Sequence, residues 1–140
     1  MVNSRLTVAL HVLCLLAHQP ARPLTSAYIA GSVNTNPVVI RRILAVLRRA
    51  GLVTSRPGVA GGWELAAKPA AITLAHVYRL LVPGPVFAMH HKRPNPRCPV
   101  GKGIQRGLLA HYQKAQTALQ DTLASLTIAD LLRDVIAPRE

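Results

Sequence analysis

Between residues 35 and 42 the chain reads Thr-Asn-Pro-Val-Val-Ile-Arg-Arg. Asn36 carries the donor and acceptor that pair with adenine, Arg41 and Arg42 carry the fork that pairs with guanine, and Val38 and Val39 carry methyl groups that can touch a thymine methyl. Thr35 adds a hydroxyl to the same turn. A further cation, Arg56, precedes the stretch Pro57-Gly58-Val59-Ala60-Gly61-Gly62 and suits a phosphate or a narrow minor groove, with Val59 in the loop itself. The chemistry open to these groups is hydrogen bonding and charge pairing with a polyanion. Covalent chemistry is poorly provided for. Glu64 is the single carboxylate in residues 1–120, so no acid–base pair exists there. No nucleophile, base and orienter stand at workable spacing either. The chain is read as a non-enzyme.

Other reactive side chains are few. Cys14 and Cys98 are too few for a disulfide framework. Cys14 falls in an apolar helical stripe and reads as an inert packing residue. Cys98 stands just before a helix with Arg97 and Lys102 nearby, surroundings that make a cysteine reactive. It is either a thiol sensor whose oxidation changes the affinity of the protein, or a buried residue anchoring its loop. His90, His91 and Cys98 are metal-ligand types on one loop, yet their spacing fits no closed zinc pattern and a fourth ligand is missing. No metal site is assigned to them. His11, His18, His76 and His111 read as helix-face or interface residues. A strand rather than a helix follows the Gly58–Gly62 loop, which removes the helix N-terminus that would cradle a phosphate.

Seventeen Lys and Arg against five Asp and Glu give a formal charge of +12. Four of the acids, Asp121, Asp130, Asp134 and Glu140, fall in the last 20 residues, so residues 1–120 hold 15 bases against Glu64 alone. A field of that sign attracts polyanions and speeds their association, without separating DNA from RNA or anionic lipid. A solvated basic surface would account for the charge by itself, so the arrangement of elements has to decide. The apolar run from Leu6 to Ala17 is broken by His11 and is shorter than the ~18 residues of a membrane span. It also lacks the small-residue cleavage site of a signal peptide. The chain is expected in the cytoplasm. With 140 residues, half of them hydrophobic and only 4% aromatic, one mostly helical domain with a Leu, Val, Ile and Ala core is expected.

The elements that would position these groups follow from periodicity and punctuation. Asn3 or Ser4 caps a first helix whose stripe is Leu6, Ala9, Leu10, Leu13, Leu16 and Ala17, ending at Pro20. Thr25 and Ser26 open a short helix over Ala27 to Gly31. Asn34, Thr35 and Asn36 form a turn, and Pro37 starts a third helix that runs to Ala50, buries Ile40, Ile43, Leu44 and Leu47, and is closed by Gly51. Leu52 to Arg56 and Trp63 to Leu65 read as two strands of a hairpin. Thr73 caps a fourth helix carrying Leu74, Val77, Tyr78 and Leu81. Five prolines between Pro83 and Pro99 mark a loop or partly disordered segment. A long helix is expected past Gly103, with Leu108, Tyr112, Ala115, Leu119, Leu123 and Leu126 at near-heptad spacing, the pattern of a helix packed lengthwise on another. Thr127 caps a last helix, Ile128 to Ile136.

Helix, short helix, turn, helix, hairpin is the order of a winged helix-turn-helix, with the third helix in the recognition position and its N-terminal end sized for a major groove about 12 Å wide. The fold class is therefore mainly α with a small β-hairpin: a winged helix-turn-helix over 1–82, a Pro-rich sensor-type loop over 83–103, and a dimerisation helix with a C-terminal helix over 104–140. Sequence-specific binding of double-stranded DNA as a homodimer is the leading reading. A winged helix that binds RNA or docks on protein is the alternative, because fold alone does not settle function. RNA readers usually present stacking aromatics, and this chain has few.

The stretch from Leu44 to Ala66, Leu-Ala-Val-Leu-Arg-Arg-Ala-Gly-Leu-Val-Thr-Ser-Arg-Pro-Gly-Val-Ala-Gly-Gly-Trp-Glu-Leu-Ala, resembles the core signature of the BadM/Rrf-two family of bacterial regulators, with Trp63 in the usual aromatic slot. The likeness extends to Ser4–Leu13, Pro69–Leu74, Cys98-Pro99-Val100-Gly101 and Leu126–Leu131. It implies a homodimeric repressor or activator, paired through the long helix at about Gln105 to Leu126 and binding a near-palindromic operator. Many members sense through an iron-sulfur cluster held by three cysteines in the loop before that helix. Only Cys98 matches a ligand position here and no other cysteine lies between Lys92 and Arg97. The resemblance is thus to the cluster-free branch, with no cofactor expected.

Overall fold

In a computed structural model residues 4–138 are described. Asn3, one of the two candidate caps, lies outside them. The elements in chain order are α1 (Arg5–His18), α2 (Ser26–Val33), α3 (Pro37–Arg49), strands β1 (Val53–Arg56) and β2 (Gly62–Leu65), a single 3-10 turn at Pro69–Ala71, α4 (Leu74–Leu81), α5 (Pro99–Ala124) and α6 (Ile128–Ile136). The mainly helical class with one hairpin is as expected. The chain forms two compact units, and their limits differ from the sequence division. One takes the residues up to Pro83 together with those from Leu123 onward, and the other takes Gly84–Thr122.

The first unit is built around α1, which touches α2, α3, α4, α6 and β2. Ala9, Val12, Leu13 and Leu16 of α1 are at most 2% exposed. This helix is covered on more sides than its expected stripe allowed: Val12 and Cys14 are buried, whereas Leu6, Leu10 and Ala17 are half-buried. Ser4 occupies the N-cap position of α1 without a side-chain cap bond. Burial pushes the Cys14 thiol above its ordinary range, which suits its packing role. No side chain of a polar or charged residue is buried among the described residues, so apolar contact dominates this core.

The final helix belongs to this unit. Ile128 is fully buried, and the backbone ties the segment to the start of α4: the Leu74 N–H donates to the Leu126 carbonyl and the Ile128 N–H to the Ile72 carbonyl, each at 2.9 Å. The expected cap at Thr127 is a reciprocal capping box. The Asp130 N–H donates to Thr127 Oγ1 at 3.2 Å and the Thr127 N–H donates to Asp130 Oδ2 at 2.9 Å. The Thr127 backbone bond, then the threonine hydroxyl and Arg133, hold the Asp130 carboxyl below the usual carboxylate range. A folded-state pKa that is depressed stabilises the fold above the unfolded carboxylate pKa of about 4, and this stabilisation is lost as pH falls through the folded value. Thr127→Ala is expected to cost about 1 kcal/mol at neutral pH and to shrink the acid-side loss. Equal urea midpoints for the two proteins at pH 7 would show that the box does not hold the helix.

In the second unit α5 begins at Pro99, five residues before the expected start. Proline in the first turn lacks only an N–H that the helix does not use, and Gly101 allows the helix to pass the loop: a Cβ there would lie 2.5 Å from the Asn95 carbonyl oxygen. The Pro-rich segment is pinned rather than disordered. The Val86 N–H donates to Gln116 Oε1 at 3.0 Å, and Phe87 stacks on Tyr112 with ring centroids 4.7 Å apart. No residue of α5 is buried in the single chain. Leu108, Tyr112 and Leu119 are half-buried and Ala115 is exposed. The last two positions of the expected stripe part company with it: Leu123 packs against the core of the first unit, and Leu126 lies past the helix end, in the turn before α6.

Candidate nucleic-acid interface

The helix-turn-helix is made by local rules. Thr25 caps α2 by accepting from the Tyr28 N–H at 3.1 Å. Asn34 takes a left-handed conformation, φ 61°, at the C-cap, a state asparagine tolerates better than most residues. The Thr35 N–H donates to the Ala30 carbonyl, and Asn36 becomes the N-cap of α3, its Oδ1 accepting from the Val38 N–H at 2.8 Å. Ile40, Ile43, Leu44 and Leu47 bury one stripe of α3. Gly51, at φ 78°, then turns the chain into β1.

This burial fixes which side chains remain on the surface. Val38 is 42% and Val39 37% exposed, Asn36, Arg41 and Arg42 are exposed, and Thr35 is half-buried in the turn. The residues singled out on α3 therefore share its open side and its first two turns. Asn36 has a prior engagement as a cap, so any contact with adenine must share Oδ1 with the Val38 N–H.

The hairpin pairs Val53 with Leu65, Thr54 with Glu64, Ser55 with Trp63 and Arg56 with Gly62. Val59 in its loop is fully exposed, as a group that reaches a partner must be. Two strands alone are marginal, and this pair has a third backbone partner. The Trp63 N–H donates to the Leu24 carbonyl at 2.7 Å and the Leu24 N–H to the Trp63 carbonyl at 2.9 Å. Gly62 makes that approach possible, because at φ 153° a Cβ would stand 2.6 Å from the Leu24 oxygen. Trp63 also carries the Arg48 guanidinium 5.7 Å from its ring centre, joining α3 to the hairpin.

Two roles were missed from sequence. Arg48 is not singled out in the sequence, yet it packs on Trp63. Arg56 reads as a free cation, yet its Nε donates to Glu64 Oε1 at 2.8 Å. The hairpin register would have signalled the second pair, since Arg56 and Glu64 are diagonal neighbours on one face.

In the second unit, Cys98 is exposed, which removes the reading of a buried anchor. It sits in the turn into α5, its N–H donating to the Asn95 carbonyl at 3.2 Å and its carbonyl accepting from the Lys102 N–H at 2.8 Å. His90 Nδ1 lies 3.5 Å from Gln105 Nε2.

A helix-turn-helix whose second helix is basic and open, flanked by a glycine-rich hairpin, defines a winged-helix DNA-binding protein. Comparison with known proteins narrows the class. The chain belongs to the Rrf2 family, described as "Iron-dependent Transcriptional regulator", which it matches over residues 2–134, and it is accordingly a transcriptional regulator and not an enzyme. It is 43% identical over 132 residues to YwnA of Bacillus subtilis (strain 168), covering 94% of this chain and 97% of that protein. A solved structure from Lactobacillus plantarum matches with a TM-score of 0.80 at 27% identity, over 96% of this chain and 91% of that one. CymR of B. subtilis, titled the global cysteine regulator, matches with a TM-score of 0.73 at 24% identity, over 96% and 97% of the two chains, a likeness of fold alone. The family suggested by the wing signature is the family found.

The family description carries iron. A bound iron or cluster needs several thiolate, imidazole or carboxylate ligands converging on one point. Among the described residues no three His, Cys, Asp or Glu side chains come together in that way.

Proposed function

We propose that this regulator is a homodimer that represses transcription by occupying a near-palindromic operator in the cytoplasm, working without an iron-sulfur cluster. The observation that carries the reading is the division of α3 into a buried stripe and an open basic face. The first two turns enter the major groove. Arg41 and Arg42 take guanine edges, Val38 and Val39 take thymine methyls, and Thr35 and Asn36 approach bases or phosphates at the turn. The hairpin follows the backbone, with Val59 at the groove and Arg56 able to meet a phosphate or a narrow minor groove. Two copies pair through α5 along Leu108, Tyr112, Ala115 and Leu119. Pairing by a two-fold axis gives two recognition helices and hence a palindrome. No helix among the described residues is long and apolar enough to cross a membrane, which agrees with action on cytoplasmic DNA.

Selection of bound duplexes from a random pool tests the whole reading. A symmetric consensus is the expected result, and pools enriched no better for duplex DNA than for RNA would favour the RNA-binding or docking alternative. Once a consensus is in hand, Arg41→Ala and Arg42→Ala should each weaken binding by about 1–3 kcal/mol if the side chain reads a base. Wild-type affinity in both variants would move the interface away from α3. The exposed Cys98 gives the regulator a thiol that can register oxidants. Peroxide treatment is expected to change the affinity of the wild type for the selected duplex and to leave Cys98→Ser unaffected. Equal binding by reduced, oxidised and Cys98→Ser protein would remove the redox role.

A further inference from the structure

Glu64 is the one carboxylate in residues 1–120, and it stands on the hairpin. Beside a lattice of phosphates a carboxylate is repelled, so its place on an otherwise cationic surface calls for a physical account. Arg56 faces Gly62 across the hairpin, and Glu64 faces Thr54. Gly62 has no side chain to occupy the place opposite Arg56, and the arginine reaches diagonally to Glu64, Nε to Oε1 at 2.8 Å. The acid is the more sheltered partner, with 22% of its side chain exposed against 65% for the arginine. The strand holding Glu64 is fixed through Trp63 to the Leu24 backbone.

We propose that Glu64 is a specificity-determining residue that withholds Arg56 from non-operator DNA. The inference rests on the DNA-binding reading above. Non-specific affinity grows with the number of phosphates neutralised. An arginine already paired with a carboxylate gains little by exchanging it for a phosphate of the same charge, so Glu64 takes one cation out of that number. An exposed pair of this kind is weak. It opens where the operator brings a phosphate or base edge squarely to the guanidinium, and it stays closed where contact is casual. Operator and random duplex are thereby separated by a group that touches neither.

The test compares wild type, Glu64→Gln, Arg56→Gln and the double variant on two probes: a random-sequence duplex and the duplex recovered by selection, each across a series of KCl concentrations. On the random duplex Glu64→Gln is expected to steepen the slope of log K against log salt by about 0.9, one extra phosphate. That corresponds to roughly three- to fourfold more affinity lost than in wild type between about 50 and 200 mM salt. The ratio of selected to random affinity should fall. In the Arg56→Gln background the same substitution should leave the slope unchanged. The readout is a slope, so partial loss of stability does not imitate it. Wild-type slope and ratio in Glu64→Gln would overturn the proposal while leaving DNA binding intact. An equal effect with and without Arg56 would also overturn it, by showing that the carboxylate acts as a bare charge. A wild type with no affinity for either duplex would overturn the DNA-binding reading and this inference together.

Discussion

Gly62→Ala protein is expected to lose its wing anchor, with a drop in stability of about 1–3 kcal/mol from backbone conformation alone and a larger loss of operator affinity. At φ 153° an alanine is strained, and its Cβ would stand 2.6 Å from the Leu24 oxygen and 2.7 Å from the Leu24 carbonyl carbon. Backbone atoms offer no flexible end that can move aside. Either the two hydrogen bonds between Trp63 and Leu24 break, or the connection between α1 and α2 shifts with them. Both outcomes disturb the relation of the hairpin to α3, because Trp63 is also the platform for Arg48. Urea unfolding and operator titration together check the expectation. A variant with wild-type midpoint and affinity would mean that the Leu24 pairing does not hold the wing.

Leu119→Asp is expected to separate the copies. A charge placed without a partner in a desolvated helix seam costs several kcal/mol, and a cost of about 3 kcal/mol corresponds to a dimer dissociation constant raised on the order of 100-fold. Since α5 buries none of its residues in the single chain, the substitution leaves the protomer's own core untouched. Sedimentation velocity should therefore show a folded, smaller species at concentrations where the wild type is a dimer. Operator affinity should fall with it, because one recognition helix then binds alone. A mutant that sediments as the wild type does would place the seam elsewhere.

Much of the reading domain was legible in the sequence because its rules are local. The Asn34-Thr35-Asn36-Pro37 run reads as a turn and a first-turn proline, and within that turn the structure makes Asn34 a left-handed stop and Asn36 a cap. The spacing of Ile40, Ile43, Leu44 and Leu47 gave the buried stripe and so the open face. What could not be read was set by contacts between distant segments. Leu24 pairing with Trp63 joins residues 39 apart, and no periodicity announces it. The early start of α5 depends on Gly101 lying against Asn95, a contact between segments that the boundary expected at Gly103 does not register. The stripe from Leu108 to Leu126 looked continuous because heptad counting does not register that the helix ends at Ala124. Arg56 looked free because the hairpin partner that engages it is visible only once the register is fixed.

The chain leaves the first unit at Pro83 and comes back at Leu123, bringing Ile128 into the core and Leu126 and Ile128 into backbone bonds beside α4. The DNA-reading head is thus sewn shut by its own tail, with residues 84–122 forming an excursion between two stitches. A polypeptide cut at residue 82 would be an open shell, bare where Ile128 belongs. The tail is therefore part of the head's own core, although the sequence between them belongs to another unit.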